Sequence, residues 1–183
     1  MIIGITGTDG AGKGTVVDYL VNKYNYSHYS SRDFITVEIE RLGLLLDRSQ
    51  MRLTANNLRA QFGNEVIVKK AYERAQAEGK EDIVIESIRA LAEAEYLLSQ
   101  GGVLLAVDAN PVVRYARVQG RRSTSDQVSY EQFLAHEELE RNDPDPHGMQ
   151  KGKVMELASH TIMNNGSYEN LQHMVDAWFV SAR

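Results

Sequence analysis

The chain has 183 residues, 43% of them hydrophobic and 25% charged, which is enough material for one domain with a substantial core. Its formal net charge of −5 argues against a general nucleic-acid binder, and the lack of any cysteine excludes disulfides and thiolate metal sites. No apolar run approaches the roughly 20 residues that span a bilayer, and Met1–Thr6 reads as a first strand rather than a leader, so a cytoplasmic protein is expected.

After the apolar strand Met1–Thr6 comes Gly7-Thr8-Asp9-Gly10-Ala11-Gly12-Lys13-Gly14-Thr15, leading into an amphipathic helix expected over Lys13–Tyr24. Strand, glycine-rich turn and helix in that order are the context of a phosphate-binding loop. Glycine permits the tight turn, and successive N–H groups at the positive end of the helix dipole cradle an anion. Lys13 adds a mobile charge that can follow a γ-phosphoryl group. Gly7–Thr15 is therefore expected to bind a nucleoside triphosphate, ATP with Mg²⁺. The residue directly after the lysine is Gly14 rather than the usual hydroxyl-bearing residue, and Thr15 follows it. The run Gly10–Thr15 resembles the loop of adenylate kinases and related nucleoside monophosphate kinases, and Thr8-Asp9 resembles that of thymidylate kinases. The resemblance implies phosphoryl transfer to a small acceptor, with Thr15 beside the metal.

A short strand at Ser27–Tyr29 precedes Ser30-Ser31-Arg32-Asp33 and helices expected at Arg32–Leu42, Met51–Phe62 and Glu65–Glu78. In the kinases it resembles, this stretch (about 30–80) binds the acceptor. Arg32, Asp33 and Arg59 are its candidate substrate ligands, though Arg32 and Asp33 would equally cap a helix. Asn56 and Arg59, three apart, fall on neighbouring helical ridges, a polar face that suits a pocket or solvent alike.

The strand Ile83–Glu86 ends in a carboxylate, with Arg89 three residues on, at the head of a helix expected to run to Ser99. Ligands of open α/β sheets bind at the carboxyl ends of strands. A carboxylate there can hold Mg²⁺ through its waters, and a guanidinium can grip a phosphate bidentately. A capping acid with a surface arginine would look the same. Monophosphate kinases have a similar acid and arginine, one residue further apart in adenylate kinases, which implies metal binding by Glu86 and acceptor binding by Arg89.

Val103–Val107 is the next strand, and the helix Pro111–Gly120 runs into Arg117, Arg121 and Arg122. That cluster resembles the arm entering the lid of adenylate kinases, where arginines pack by the donor base and neutralise phosphates. It implies a lid over about 117–142, tipped by Ser123–Asp126, with Arg117 and Arg121 acting in transfer; a basic helix end complementing its dipole is the plainer reading. A helix at Tyr130–Arg141 and a surface loop at Asp143–Gly148 lead to the last strand, His160–Met163. Asn164-Asn165-Gly166-Ser167 then turns the chain into a helix at Tyr168–Ser181. This end resembles that of dephospho-coenzyme A kinases and implies that Asn165 lies near the donor adenine. The five histidines are scattered without metal-ligand spacing.

Alternating strands and helices predict an α/β fold, a parallel sheet with helices on both faces. The resemblance implies a three-layer P-loop kinase fold with five strands in the order 2-3-1-4-5, a single domain over 1–183. The expected activity is ATP-dependent phosphoryl transfer to a nucleoside or deoxynucleoside monophosphate, a small-molecule partner without membrane or general nucleic-acid binding. Dephospho-coenzyme A kinase, with Asp33 as base, is one alternative. A nucleotide-switched assembly or RNA-associated ATPase is another.

Overall fold

The computed structural model describes residues 1–120 and 128–183. Five short strands, β1 (Ile2–Gly7), β2 (Ser27–Ser30), β3 (Ile83–Glu86), β4 (Val103–Asp108) and β5 (His160–Met163), pair in parallel in the order β2-β3-β1-β4-β5. The predicted fold class and strand order are thus those observed. Parallel neighbours cannot be joined by hairpins, so helices carry the chain back across the sheet. They are α1 (Lys13–Tyr24), α2 (Ser31–Arg41), α3 (Arg48–Phe62), α4 (Val66–Ala77), α5 (Leu91–Ser99), α6 (Pro111–Gly120), α7 (Tyr130–Arg141), α8 (Lys151–Glu156) and α9 (Tyr168–Ser181).

Strand side chains alternate between two cores, as the period of two requires. Ile3, Ile5, Val84, Leu105 and Val107 meet α1 and α9 through Val16, Leu20, Leu171, Val175 and Trp178. Ile83, Ile85 and Leu104 face the opposite way and pack with Val68 of α4, Leu97 of α5 and Val154 of α8. A third cluster, Ile35, Ile39, Met51, Ala55, Leu58 and Ile67, holds α2 and α3 to α4, set apart from the sheet. No helix among the described residues is long and apolar enough to cross a membrane.

Three local features differ from the expectations. Helix α5 starts at Leu91 rather than Arg89, because the Glu93 carboxylate accepts from the backbone N–H groups of Arg89 (3.1 Å) and Ala90 (3.1 Å) and so closes the first turn. Arg89 is left in the link after β3. Helix α8 has no sequence signature: it is six residues long, contains Gly152, and buries little beyond Val154 and Lys151. The stretch Asp143–Gly148 is docked on α3 rather than being a free surface loop. Asp143 pairs with Arg52 (2.8 Å), Asp145 accepts from Asn56 (2.8 Å), and His147 Nδ1 meets Asn64 Oδ1 at 2.8 Å.

Candidate active site

The glycine loop joins the end of β1 to α1 at the carboxyl edge of the sheet. Three of its glycines, Gly7, Gly10 and Gly12, are demanded by the protein itself. Gly7 has φ +131°, and a Cβ there would stand 1.9 Å from the carbonyl oxygen of Val107. Gly12 has φ +99°, and its Cβ would meet Asn164 Nδ2 at 2.5 Å. Gly14 differs: its φ is ordinary and a Cβ would meet nothing within 4 Å. Gly7→Ala should therefore cost at least about 3 kcal/mol of stability. Gly14→Ala should change it by about 1 kcal/mol at most, on the stabilising side, since alanine is the better helix former. Thermal melts of the two variants check this; equal losses would refute it.

Side chains from three other elements hold the loop in place. Thr8 Oγ1 donates to Asp108 Oδ1 at 2.5 Å, and Asn164 Nδ2 donates to the Ala11 carbonyl at 2.8 Å. Arg114 is buried in α6 and donates to the Ala109 carbonyl at 2.7 Å, to the Asp9 carbonyl at 3.4 Å and to Glu137 of α7. The Lys13 ammonium turns back onto the carbonyls of Gly7 (3.1 Å) and Thr8 (2.7 Å) and lies 3.8 Å from Asp9. Burial pulls its pKa from 10.5 down to about 8, against the opposing attraction of Asp9. A second lysine completes this cluster. Lys151, almost wholly buried at the start of α8, is 3.3 Å from the same Asp9 Oδ1 and 2.6 Å from Glu140 of α7.

Across from the loop, β3 delivers Glu86 beside His28 of β2, their side chains 3.1 Å apart. The hydrogen bond from His28 holds the Glu86 carboxyl below its usual range. Ser87, the next residue, has φ +67°, a left-handed conformation unusual for serine, and turns the chain toward Arg89.

A cavity of about 1090 Å³ opens between these groups and the α2–α3 segment. Asp9, Gly10, Gly12, Lys13 and Gly14 form one wall; Glu86, Ser87 and Arg89 form the floor; Arg32, Ile35, Met51, Arg52, Ala55 and Arg59 form the far side. Of the four arginines, two are tied to carboxylates. Arg52 is on Asp143, and Arg59, itself buried, grips Glu93 at 2.8 Å and the His147 carbonyl at 3.2 Å. Arg32 and Arg89 carry no ion pair among the described residues.

The other sequence candidates fall elsewhere. Thr15, Asp33, Arg117 and Asn165 are not part of the cavity wall. Thr15 is half-buried in the first turn of α1, and Asp33 is exposed in that of α2, where its N–H is capped by Ser30 Oγ at 3.3 Å. Arg117 donates to the Asn164 carbonyl at 3.0 Å, and Asn165 Oδ1 accepts from the Asn110 N–H at 2.7 Å, which joins the end of β5 to the start of α6. Arg121, Arg122 and the expected lid tip lie outside the described residues. Lys151, Arg114, Asn164 and His136 were not singled out by sequence reasoning. Asn164 is legible only as part of a turn and the other three belong to no motif; the packing of α6–α8 and the end of β5 bring them to the loop or the cavity.

The residues present fit a divalent cation of the hard, oxygen-seeking kind. Glu86 is an ionised carboxylate at a strand end facing the phosphate loop, and Mg²⁺ takes most of its remaining ligands from water and phosphate. No cluster of three or more metal-ligating side chains occurs among the described residues, and such a site does not require one.

The sheet order and glycine loop define a P-loop protein with the kinase-like fold. Residues 3–143 match the AAA domain family model AAA_18. UPF0200 protein MJ1399 of Methanocaldococcus jannaschii is 31% identical over 179 residues, covering 96% of this chain and 87% of that protein. The chain thus belongs to the AAA_18 domain family and to the UPF0200 proteins. Among solved structures, shikimate kinase from Bacteroides thetaiotaomicron superposes with a TM-score of 0.62 at 16% identity, covering 98% of both chains. Shikimate kinase from Acinetobacter baumannii, in complex with shikimate, gives 0.59 at 18% identity, covering 100% of this chain and 94% of the other. At such identities the likeness is one of fold.

Proposed function

We propose that this protein transfers the γ-phosphoryl group of ATP to the phosphate of a nucleoside or deoxynucleoside monophosphate. The observation that carries the reading is that Lys13 lines one cavity together with Arg32 and Arg89, two arginines that carry no ion pair among the described residues. A donor triphosphate on the glycine loop and an acceptor phosphate on the arginines would then meet across Glu86.

The chemistry needs little beyond position and charge. A phosphate acceptor is already an oxyanion, so no residue has to remove a proton from it. The Lys13 ammonium, resting on the Gly7 and Thr8 carbonyls, has only to rotate onto the β- and γ-phosphates. Arg32 and Arg89 hold the acceptor against its own repulsion from the donor. Glu86, through water, and the Thr15 hydroxyl would hold Mg²⁺, which would supply further neutralisation of phosphate charge. Arg117 and Asn165, near the ends of α6 and β5, would flank the donor base. A hydroxyl acceptor would instead need a base. Asp33, the one named for dephospho-coenzyme A, is exposed in the first turn of α2, with its N–H capped by Ser30.

The test is incubation with ATP, Mg²⁺ and each nucleoside monophosphate, deoxynucleoside monophosphate or dephospho-coenzyme A, followed by chromatography. One monophosphate should be converted to its diphosphate with equimolar ADP. Arg89→Met should raise the KM for that acceptor by about tenfold or more, the loss of a charge-assisted pair. ADP formed with no phosphorylated acceptor, or transfer to dephospho-coenzyme A alone, would overturn the assignment.

A further inference from the structure

We propose that Lys151 is a second phosphate-binding lysine of this site, which leaves Asp9 for the γ-phosphoryl group when a triphosphate binds. The inference rests on the phosphotransferase reading above and adds a residue to it.

Three observations carry it. First, the Lys13 and Lys151 ammonium groups converge on a single oxygen, Asp9 Oδ1, at 3.8 and 3.3 Å. Asp9 sits within the glycine loop with its side chain 27% exposed, in the cavity wall where a triphosphate would arrive. A polyanion entering there repels the Asp9 carboxylate and competes with it for both ammonium groups. Secondly, the two contacts of Lys151 are unequal. Glu140 binds it at 2.6 Å and Asp9 at 3.3 Å, so the ammonium can shift from the looser partner to an incoming oxyanion while keeping its anchor on α7. Thirdly, the side chain is 4% exposed and lies behind the cavity wall, while both its carboxylate partners line the cavity. An ion pair buried this deeply is poor value as stability alone, since apolar packing of equal volume does as well or better.

The route by which the chain reaches this point strengthens the case. The Asp143–Lys151 segment is docked on the acceptor side by Asp143 and Asp145, donates from the Gln150 N–H to the Arg89 carbonyl at 2.8 Å, and then places Lys151 on the donor loop. A lysine held in this way is aimed by both halves of the cavity. A lysine contributes a point charge, and so responds to the γ-phosphoryl group as one more negative charge.

The experiment is titration calorimetry of the full chain with ATP and with ADP, each with excess Mg²⁺, on the wild type, Lys151→Met and Lys151→Arg. Lys151→Met should weaken ATP about tenfold or more and ADP no more than about twofold, with Lys151→Arg restoring part of the preference. The double variant Lys151→Met/Glu140→Gln, which removes both charges of the ion pair, should show the same selective loss and serves if the single variant folds poorly. Unchanged affinity for both nucleotides, or equal losses for both, would overturn the proposal and leave Lys151 a structural ion pair. A wild type that binds neither nucleotide would overturn the phosphotransferase reading itself, and this proposal with it.

Discussion

Lys13→Ala should reduce ATP-dependent phosphoryl transfer by at least about a hundredfold, the scale seen when one preorganised donor to a developing anion is removed. The fold should survive the change. Burial of the Lys13 ammonium lowers its pKa from 10.5 to about 8, so its charge is a cost to the native state. Between pH 8 and 10.5 the unfolded chain binds the proton that the native chain has released, so this group makes stability rise with pH across that window. Below pH 8 the cost is present in full. Lys13→Met should accordingly melt at or above the wild-type temperature at pH 7, and its advantage should shrink as pH is raised from 8 toward 10.5. The measurement pairs steady-state turnover with thermal melts at several pH values. Turnover within a few-fold of wild type would remove the catalytic role, and a variant that melts well below wild type at pH 7 would contradict the electrostatic account.

Glu93→Ala should be the most damaging single substitution away from the glycine loop, at about 3–5 kcal/mol. Glu93 and Arg59 are both buried, their side chains 1% and 2% exposed, so removing the carboxylate strands a guanidinium in the interior. The same carboxylate also accepts the Arg89 and Ala90 N–H groups, so the first turn of α5 loses its cap. For a chain of this size the melting temperature should fall on the order of 10 °C. Arg59→Met/Glu93→Gln removes both charges and keeps an acceptor for the turn, so it should recover most of the loss. A Glu93→Ala protein that melts within about 1 °C of wild type would show that the pair contributes nothing. Since Glu93 fixes the backbone at Arg89, the acceptor KM should rise in Glu93→Ala even at temperatures where the protein stays folded.

The pair also explains how much of the site could be seen in advance. Arg59 was legible as an arginine on a polar helical ridge, next to Asn56, in the segment expected to bind an acceptor. Nothing in the spacing distinguishes an arginine facing a cavity from one facing a carboxylate 34 residues later, because that choice is made by the packing of α3 against α5. Arg89 and Glu86 were legible for the opposite reason. They sit at the end of a strand in a parallel sheet, and the end of such a strand faces the ligand edge whatever the surrounding helices do. Lys151 left no trace at all: a single lysine in a six-residue helix has no period to read. The Asp143–Gly148 stretch misled because proline, glycine and aspartate mark a turn but say nothing about what the turn rests on.

The sequence by itself determined the strands, the glycine loop and, α8 apart, the order in which helices alternate with them. Those follow from local rules: the period of apolar residues, the φ that glycine alone accepts at positions 7 and 12, and the caps that serine provides at positions 30, 129 and 167. Only the tertiary structure decided which charges face the cavity and which face each other. Arg59 and Arg52 are neutralised by carboxylates from distant segments, Arg32 and Arg89 carry no ion pair among the described residues, and Lys151 arrives at Asp9 from 142 positions along the chain. The physical reason is that backbone conformation is set by neighbours in sequence, whereas the partner of a charge is set by neighbours in space.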